Sequence, residues 1–197
     1  MHVLLLAMVA GPAFADYPKG FDAFSTGDYE AALAEWAPLA DQGHADSQFG
    51  MGLLCANGWG TAQDDAEALK WYELAAAQGH GEAAFNIGVM YQNGWGVDQS
   101  DVEALRWMQV SAESGFPAAH RSLGGIYESG IGVEADNVQA YRWYETGATL
   151  GDSESNYNRE ELAMSMDEAE VSAAQALAEN WLSEFRGRHP EYVFPDN

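Results

Sequence analysis

The chain has 197 residues, of which 31 are acidic and only 8 are basic, giving a formal net charge of −23 and a pI near 4.1. This charge disfavours nucleic acid and anionic membrane surfaces as partners and favours a basic patch on a protein. It also keeps a protein soluble without any partner, and composition leaves both interpretations open. The length is typical of one repeat domain, not of several globular ones.

Residues 1–15 predict an exported protein. The apolar run Val3 to Ala10 precedes Ala13-Phe14-Ala15, the small-x-small pattern of a signal peptidase site. The run is too short to span a bilayer. Only His2 precedes it, so the usual positive charge is missing. We expect cleavage after Ala15 and a periplasmic or secreted protein, the alternative being a retained N-terminal helix.

A repeat governs the middle of the chain, residues 43–151. Gly43, Gly79, Gly115 and Gly151 stand 36 residues apart, and the apolar pattern between them recurs at helical spacing. A unit this short cannot bury its apolar face alone, so successive units must stack. Each of the three units is predicted to hold a helix A of about twelve residues, a turn and a helix B.

Short local signals mark the ends of these helices. A glycine pair closes each helix A, and each helix B begins with the pattern of a capping box. The predicted boxes are Asp64 with Glu67, Ser100 with Glu103 and Asp136 with Gln139.

A glycine also recurs inside each helix A, where it costs roughly 1 kcal/mol against alanine. We therefore expect another helix backbone to cross closely at that position. The three glycines are Gly52, Gly88 and Gly124.

The second unit, from Ala83 to Gly115, resembles the Sel-one-like repeat family, a relative of the tetratricopeptide repeat. The matching residues are Ile87-Gly88, Tyr91, Gly94-Trp95-Gly96-Val97, Ala104, Arg106-Trp107 and Ala112. The resemblance covers about residues 20 to 185. It implies an all-α, right-handed α/α solenoid of about five antiparallel helix pairs. It also implies a role as an adaptor or regulator, since some exported members engage sensor kinases or envelope assembly complexes.

The repeat is replaced by other patterns at both ends. Residues 16–42 are predicted to form an N-terminal capping helix pair and residues 152–186 a C-terminal one, because terminal units must cover the last apolar face. Ser165 and Glu168 are expected to form the capping box of the final helix. Residues 187–197 are expected to form a tail.

No catalytic or metal-binding pattern is found in the sequence. Cys55 is the only cysteine and lies on the core stripe, which favours an inert buried thiol over one that pairs with another chain. His44 and His80 share one repeat position, so we expect a common structural role for them. We expect no cofactor, no metal and no enzyme activity.

One alternative is an enzyme that binds or hydrolyses β-lactams, because a cysteine-rich branch of the family has been linked to that activity. The S-x-x-K and K-T-G patterns of serine β-lactamases are absent, as are the paired cysteines of that branch.

A protein or peptide is therefore the expected partner, and two surfaces are candidates for binding it. The A helices of related solenoids line the concave face, where exposed amides can bind a peptide backbone or a carboxylate; the alternative is ordinary surface polarity. The candidates there are Asn86, Val89, Asn93 and Ser122.

The second candidate surface is the pair of turn tryptophans, Trp59 and Trp95. Each is flanked by glycines and either stands exposed along an edge of the array or covers the core. The tryptophans of the B helices, Trp71, Trp107 and Trp143, are expected to be core residues.

Overall fold

The computed structural model describes residues 16–195, so the predicted leader, residues 1–15, lies outside the described part. Residues 16–195 form ten helices and no strand. The helices are α1 (Tyr17–Ser25), α2 (Tyr29–Asp41), α3 (Ala45–Asn57), α4 (Asp65–Ala76), α5 (Gly81–Asn93), α6 (Asp101–Glu113), α7 (Pro117–Ser129), α8 (Asn137–Thr149), α9 (Ser153–Ala163) and α10 (Glu168–Arg188).

The helices pack in chain order, as the repeat predicts. Helices α3, α5 and α7 are the A helices, and each packs most extensively on the B helix that follows it, α4, α6 or α8. Each B helix then packs on the next A helix. The prediction of an all-α solenoid of about five helix pairs is confirmed.

The last two helices do not pack as a repeat pair. Helix α9 packs on α8 and touches α7, whereas α10 makes its main contacts with α8. At 21 residues, α10 is longer than the 13-residue α8 that it covers. The two helices predicted as one C-terminal capping pair therefore cover the end of the array separately.

The ends of the A helices follow the sequence signals. Each ends at a glycine in the left-handed region, with φ of 68°, 71° and 70° at Gly58, Gly94 and Gly130. At the other end, Nδ1 of His44 accepts a hydrogen bond from the Ser47 backbone N–H at 3.2 Å. His80 makes the same bond with Ala83, also at 3.2 Å. The two histidines are N-caps, which confirms a common structural role.

Only one of the two hydrogen bonds of each capping box predicted for the B helices is formed. The N-cap side chains do accept from the third backbone N–H, as Asp64 does from Glu67 at 2.9 Å. The reverse bond is not made, because the Asp64 backbone N–H donates instead to the Cys55 carbonyl of the preceding helix A. Ser100 and Asp136 are held in the same way by Tyr91 and Tyr127.

The capping box predicted at Ser165 and Glu168 is also displaced. Two hydrogen bonds of 2.9 Å, one in each direction, join Asp167 and Glu170, so the box lies two residues further along. Among the described residues, no carbonyl of a preceding helix accepts a hydrogen bond from the Asp167 backbone N–H, so this group donates to the Glu170 carboxylate.

The glycine inside each helix A faces a side chain more often than a backbone. A Cβ on Gly52 or Gly124 would collide with the ring of Tyr72 or Tyr144 in the following helix B. At Gly88 the neighbours are Met108 Cε at 2.9 Å and the Ala104 carbonyl oxygen at 3.3 Å. The predicted backbone crossing therefore holds only in the second unit, and elsewhere the glycine makes room for a tyrosine.

Buried residues form a continuous series of apolar clusters along the array. Trp143 is buried, but Trp71 and Trp107 are only half-buried and pack against the edges of these clusters. The expectation that all three B-helix tryptophans are core residues is therefore confirmed only for Trp143. Cys55 is buried, and this burial raises the pKa of its thiol, which favours the inert thiol.

The chain beyond α10 packs against the array instead of extending from it. Phe185 is completely buried, and the rings of Tyr192 and Phe194 lie 5.1 and 6.3 Å from its ring. Pro195 lies against Gly151 at the start of α9. The residues described within the predicted tail, 187–195, thus form part of the C-terminal cap.

Candidate functional site

The A helices are separated by a groove that recurs from one unit to the next. Between α3 and α5 the groove opens into a cavity of about 510 Å³. Its walls come from both A helices, its base from Tyr72 of α4 and its rim from the turns that follow α3 and α5. The lining residues are Leu53, Ala56, Asn57, Gln63, Asp65, Tyr72, Asn86, Val89, Met90 and Trp95. We call this the α3/α5 cavity.

The groove between α5 and α7 is the same feature one unit later, at about 250 Å³. Met108, Ser122 and Ile131 line it, 36 residues after Tyr72, Asn86 and Trp95. The replacement of Trp95 by Ile131 and of Val89 by Gly125 removes much of the wall. The second groove is therefore shallower and lacks an aromatic edge.

The equivalent space at the N-terminal end is filled. Trp36 of α2 occupies the position of Tyr72, and its indole packs directly on Gly20 and Gly50. Trp36 is only 2% exposed. Two glycines thus accept a large ring where the next unit leaves open space, so the cavity begins between α3 and α5.

Trp59 and Trp95 share a repeat position but have different surroundings. The Trp59 ring stacks on Tyr29, with centroids 4.8 Å apart and an angle of 8° between the planes. Trp95 is 52% exposed. The turn glycine after each tryptophan abuts the start of the preceding B helix, which is Tyr29 for Gly60 and Asp65 for Gly96.

The residue at that B-helix start contributes to the environment of the tryptophan, and Phe24 of α1 adds a second ring beside Trp59, with centroids 5.7 Å apart. A tyrosine ring covers Trp59, whereas an aspartate leaves Trp95 open at the rim of the α3/α5 cavity. Trp59 packs on the N-terminal core cluster and fits the interpretation of a core lid.

The polar groups of the α3/α5 cavity are amides, a phenol and one carboxylate. Burial raises the pKa of Tyr72 well above its usual range, and the Asn86 side chain beside it opposes that shift. Asp65 is half-buried and makes no ion pair with any residue among 16–195. No lysine, arginine or histidine lines the cavity.

The structure brings three of the six predicted site residues together. Asn86, Val89 and Trp95 line the α3/α5 cavity, and Ser122 lines the shallower groove. Asn93 is exposed and donates from Nδ2 to the Val89 carbonyl at 2.8 Å. Asn93 lines neither groove. The sixth residue, Trp59, packs on the N-terminal core cluster.

Sequence reasoning missed the cavity residues contributed by helix B and its turn, Gln63, Asp65 and Tyr72. Tyr72 lies on the apolar stripe of its helix, a position that by itself indicates a core residue. The signal that could have found Asp65 is its place directly after the Asp64 cap, since the first residue of helix B lies beside the turn of the next unit.

Within residues 16–195, no three histidine, cysteine, aspartate or glutamate side chains converge to hold a metal ion. No helix in this range is both long and apolar enough to cross a membrane.

Comparisons with known proteins agree with this architecture. The model of the Sel1 repeat matches residues 45–80, 81–116 and 117–152. These segments begin at the first residues of α3, α5 and α7. No curated protein matches the chain.

Two solved structures are similar to the chain. One is a Sel1 repeat protein from Oxalobacter formigenes, with 28% identity and a TM-score of 0.69 over 73% of this chain and 59% of that one. The other is c5321, a protective antigen of uropathogenic Escherichia coli strains that displays an SLR fold. It has 24% identity and a TM-score of 0.60 over 92% of this chain and 48% of that one. The chain thus spans only about half of each similar protein.

Proposed function

The chain belongs to the Sel1 repeat family, whose solenoids are commonly protein-interaction scaffolds, and we propose that it binds a segment of a protein partner in the α3/α5 cavity. The observation that carries this proposal is the contrast between Trp95 and Trp59. In an array that covers its other turn tryptophan with Tyr29, one tryptophan remains half-exposed at the rim of an open cavity.

A tryptophan in this setting has the properties of an interface anchor. Its ring offers a large apolar area at a small cost in side-chain entropy, and such residues carry much of the binding energy at protein interfaces. Beside it, Val89 supplies an apolar wall, and Asn86 and Gln63 supply donors and acceptors for a peptide backbone. A cavity of this composition fits an extended segment with an apolar contact and several backbone hydrogen bonds.

We predict that Trp95→Ala weakens partner binding without weakening the fold. The Trp95 side chain is 52% exposed and belongs to none of the apolar clusters, so its loss should lower the free energy of unfolding by no more than about 1 kcal/mol. The affinity should fall by about 30-fold, equivalent to about 2 kcal/mol, as at other interface anchors. The partner is first captured from cell-envelope extract and identified by mass spectrometry, and its dissociation constant is then measured by calorimetry.

Two further variants separate this effect from a general loss of structure. Val102→Ala truncates a side chain that is 63% exposed and lies outside the cavity, and it should change neither quantity. Trp59→Ala removes the stack on Tyr29 and should lower stability by about 2 kcal/mol. Unchanged affinity in Trp95→Ala would remove the cavity from consideration as the binding site.

We also propose that the protein is exported and that cleavage after Ala15 makes Asp16 the first residue. The Asp16 backbone nitrogen lies 3.0 Å from a carboxylate oxygen of Glu35 in α2. Cleavage would turn that nitrogen into an ammonium group, so the same contact would become an ion pair. A role in the cell envelope, as a regulator or an assembly factor, follows from this proposal and from the family.

Export predicts a mature chain that begins at Asp16 in the periplasmic or secreted fraction. Edman sequencing of the fractionated protein measures this directly. Glu35→Gln should leave the cleavage site unchanged but lower the stability of the mature chain by up to about 1 kcal/mol, because only the neutral amide then faces the ammonium. An uncleaved chain found only in the cytoplasm would contradict the proposal.

A further inference from the structure

We propose that the α3/α5 cavity binds a basic side chain of the partner segment, with arginine as the best fit. This inference rests on the proposed function and specifies its ligand chemistry. The chain as a whole has a net charge of −23, which attracts cationic segments. The cavity adds a local reason, because Asp65 lines it and no cationic side chain does.

Acidic side chains act on the base of the cavity. The carboxylates of Asp65 and Glu82 both help to raise the pKa of Tyr72 at the base, after the larger effect of burial. Asp65 remains without a cationic partner among the described residues, although it is half-buried. A half-buried carboxylate is only partly hydrated and gains from an incoming cation.

The same charge disfavours a carboxylate ligand. The side-chain amides of the A helices could by themselves bind either a peptide backbone or a terminal carboxylate. A carboxylate in this cavity would face Asp65 with no lysine, arginine or histidine to offset the repulsion. Of the ligands considered from the sequence, the structure therefore favours a peptide segment with a basic side chain over a carboxylate.

The indole of Trp95 supplies the second contact for an arginine. The chain already pairs arginine with tryptophan twice, since the guanidinium of Arg106 lies 4.8 Å from the Trp107 ring and that of Arg142 lies 4.2 Å from the Trp143 ring. Trp95 has no such cation among residues 16–195. An arginine can stack its flat guanidinium on the ring and donate to a carboxylate at the same time, which lysine cannot do as well.

The next unit provides an internal control. Asp101 occupies the repeat position of Asp65, but it does not line the shallower groove, where Ile131 replaces Trp95. Asp101→Asn thus removes the same charge from the same helix position without affecting the proposed arginine site. The comparison with Asp65→Asn separates local recognition from the general attraction of an acidic protein.

The test uses defined peptides. A phage-displayed library of random heptapeptides is selected on the immobilised protein, and the strongest binder is synthesised with arginine or its neutral isostere citrulline at the basic position. Calorimetry measures both peptides with the unaltered protein and with Asp65→Asn, Asp101→Asn and Trp95→Ala. Circular dichroism verifies that each variant is folded.

We expect enrichment of arginine and lysine, and about tenfold tighter binding of the arginine peptide than of the citrulline peptide. That preference should disappear in Asp65→Asn and persist in Asp101→Asn. Peptides that require Trp95 but show no preference for arginine over citrulline would overturn the inference and leave the proposed function standing. If no selected peptide depends on Trp95, both fail.

Discussion

Phe185→Ala should lower the free energy of unfolding by about 3 to 5 kcal/mol, the usual cost of emptying a buried aromatic site. Phe185 is completely buried and stacks on Trp181 with ring centroids 4.9 Å apart. It also contacts Tyr192 and Phe194 beyond α10. Its loss should therefore release the terminal segment as well as open a cavity, and urea unfolding followed by circular dichroism measures the cost.

Leu177→Ala is the matched control on the same helix. Leu177 is 37% exposed, so its truncation should cost well under half as much as that of Phe185. Hydrogen exchange adds a local measurement. The amides of His189 and Tyr192 donate to the carbonyls of Phe185 and His189, and they should lose protection in Phe185→Ala and keep it in Leu177→Ala. Equal unfolding free energies for the two variants would mean that Phe185 does not hold the C-terminal cap.

His120 should make the fold lose stability in mild acid. Its side chain is completely buried, and burial lowers its pKa to about 3. A neutral ring can satisfy both neighbours. Its Nε2–H donates to the Ala112 carbonyl at 3.1 Å, and its Nδ1 accepts from the Thr146 hydroxyl at 2.7 Å when that hydroxyl directs its single proton to the ring and not to the Trp143 carbonyl at 2.9 Å. The rings of Trp143 and Trp181 pack edge-on to it, so the imidazole is surrounded by aromatic side chains and not by bulk solvent.

The sign of the pH effect follows from this lowered pKa. The unfolded chain takes up a proton at His120 near pH 6.5, whereas the folded chain resists it down to about pH 3. The stability is thus complete above about pH 6.5 and falls as the pH drops through this window. At pH 4.5 the loss from this residue should be about 2 to 3 kcal/mol relative to pH 7.

His120→Gln should abolish this part of the pH dependence, and the repeat itself shows that the substitution fits. Gln48 stands two periods before His120, and its Nε2 donates to the Ala40 carbonyl at 3.1 Å, eight residues back, as His120 does to Ala112. Urea unfolding of both proteins at pH 7 and pH 4.5 gives the difference. Carboxylates titrate in both proteins, so their contributions cancel in the comparison.

An equal acid loss in the two proteins would contradict the assignment to His120. His44→Gln replaces an exposed histidine at a helix start and is the control for removing a histidine elsewhere in the chain.

Much of the fold follows from the sequence because the interactions that specify it are local or strictly periodic. The 36-residue spacing, the glycine turns and the N-cap residues each act within a few positions of the chain. The left-handed glycine at the end of every helix A and the Nδ1 caps of His44 and His80 show how directly such signals become structure. The ten helices and their order of packing follow from these signals and from the apolar stripes.

Only the tertiary structure decided which candidate site residues come together, because their surroundings come from other units. Trp59 and Trp95 have the same neighbours in sequence, and they differ because the preceding B helix starts with Tyr29 in one case and Asp65 in the other. The filling of the first groove by Trp36 against Gly20 and Gly50 depends in the same way on three separate helices. The α3/α5 cavity is open because Tyr72 of the preceding helix B does not fill it, and it is acidic because Asp65 of the same helix lines it. Neither property can be read from the local sequence around Trp95.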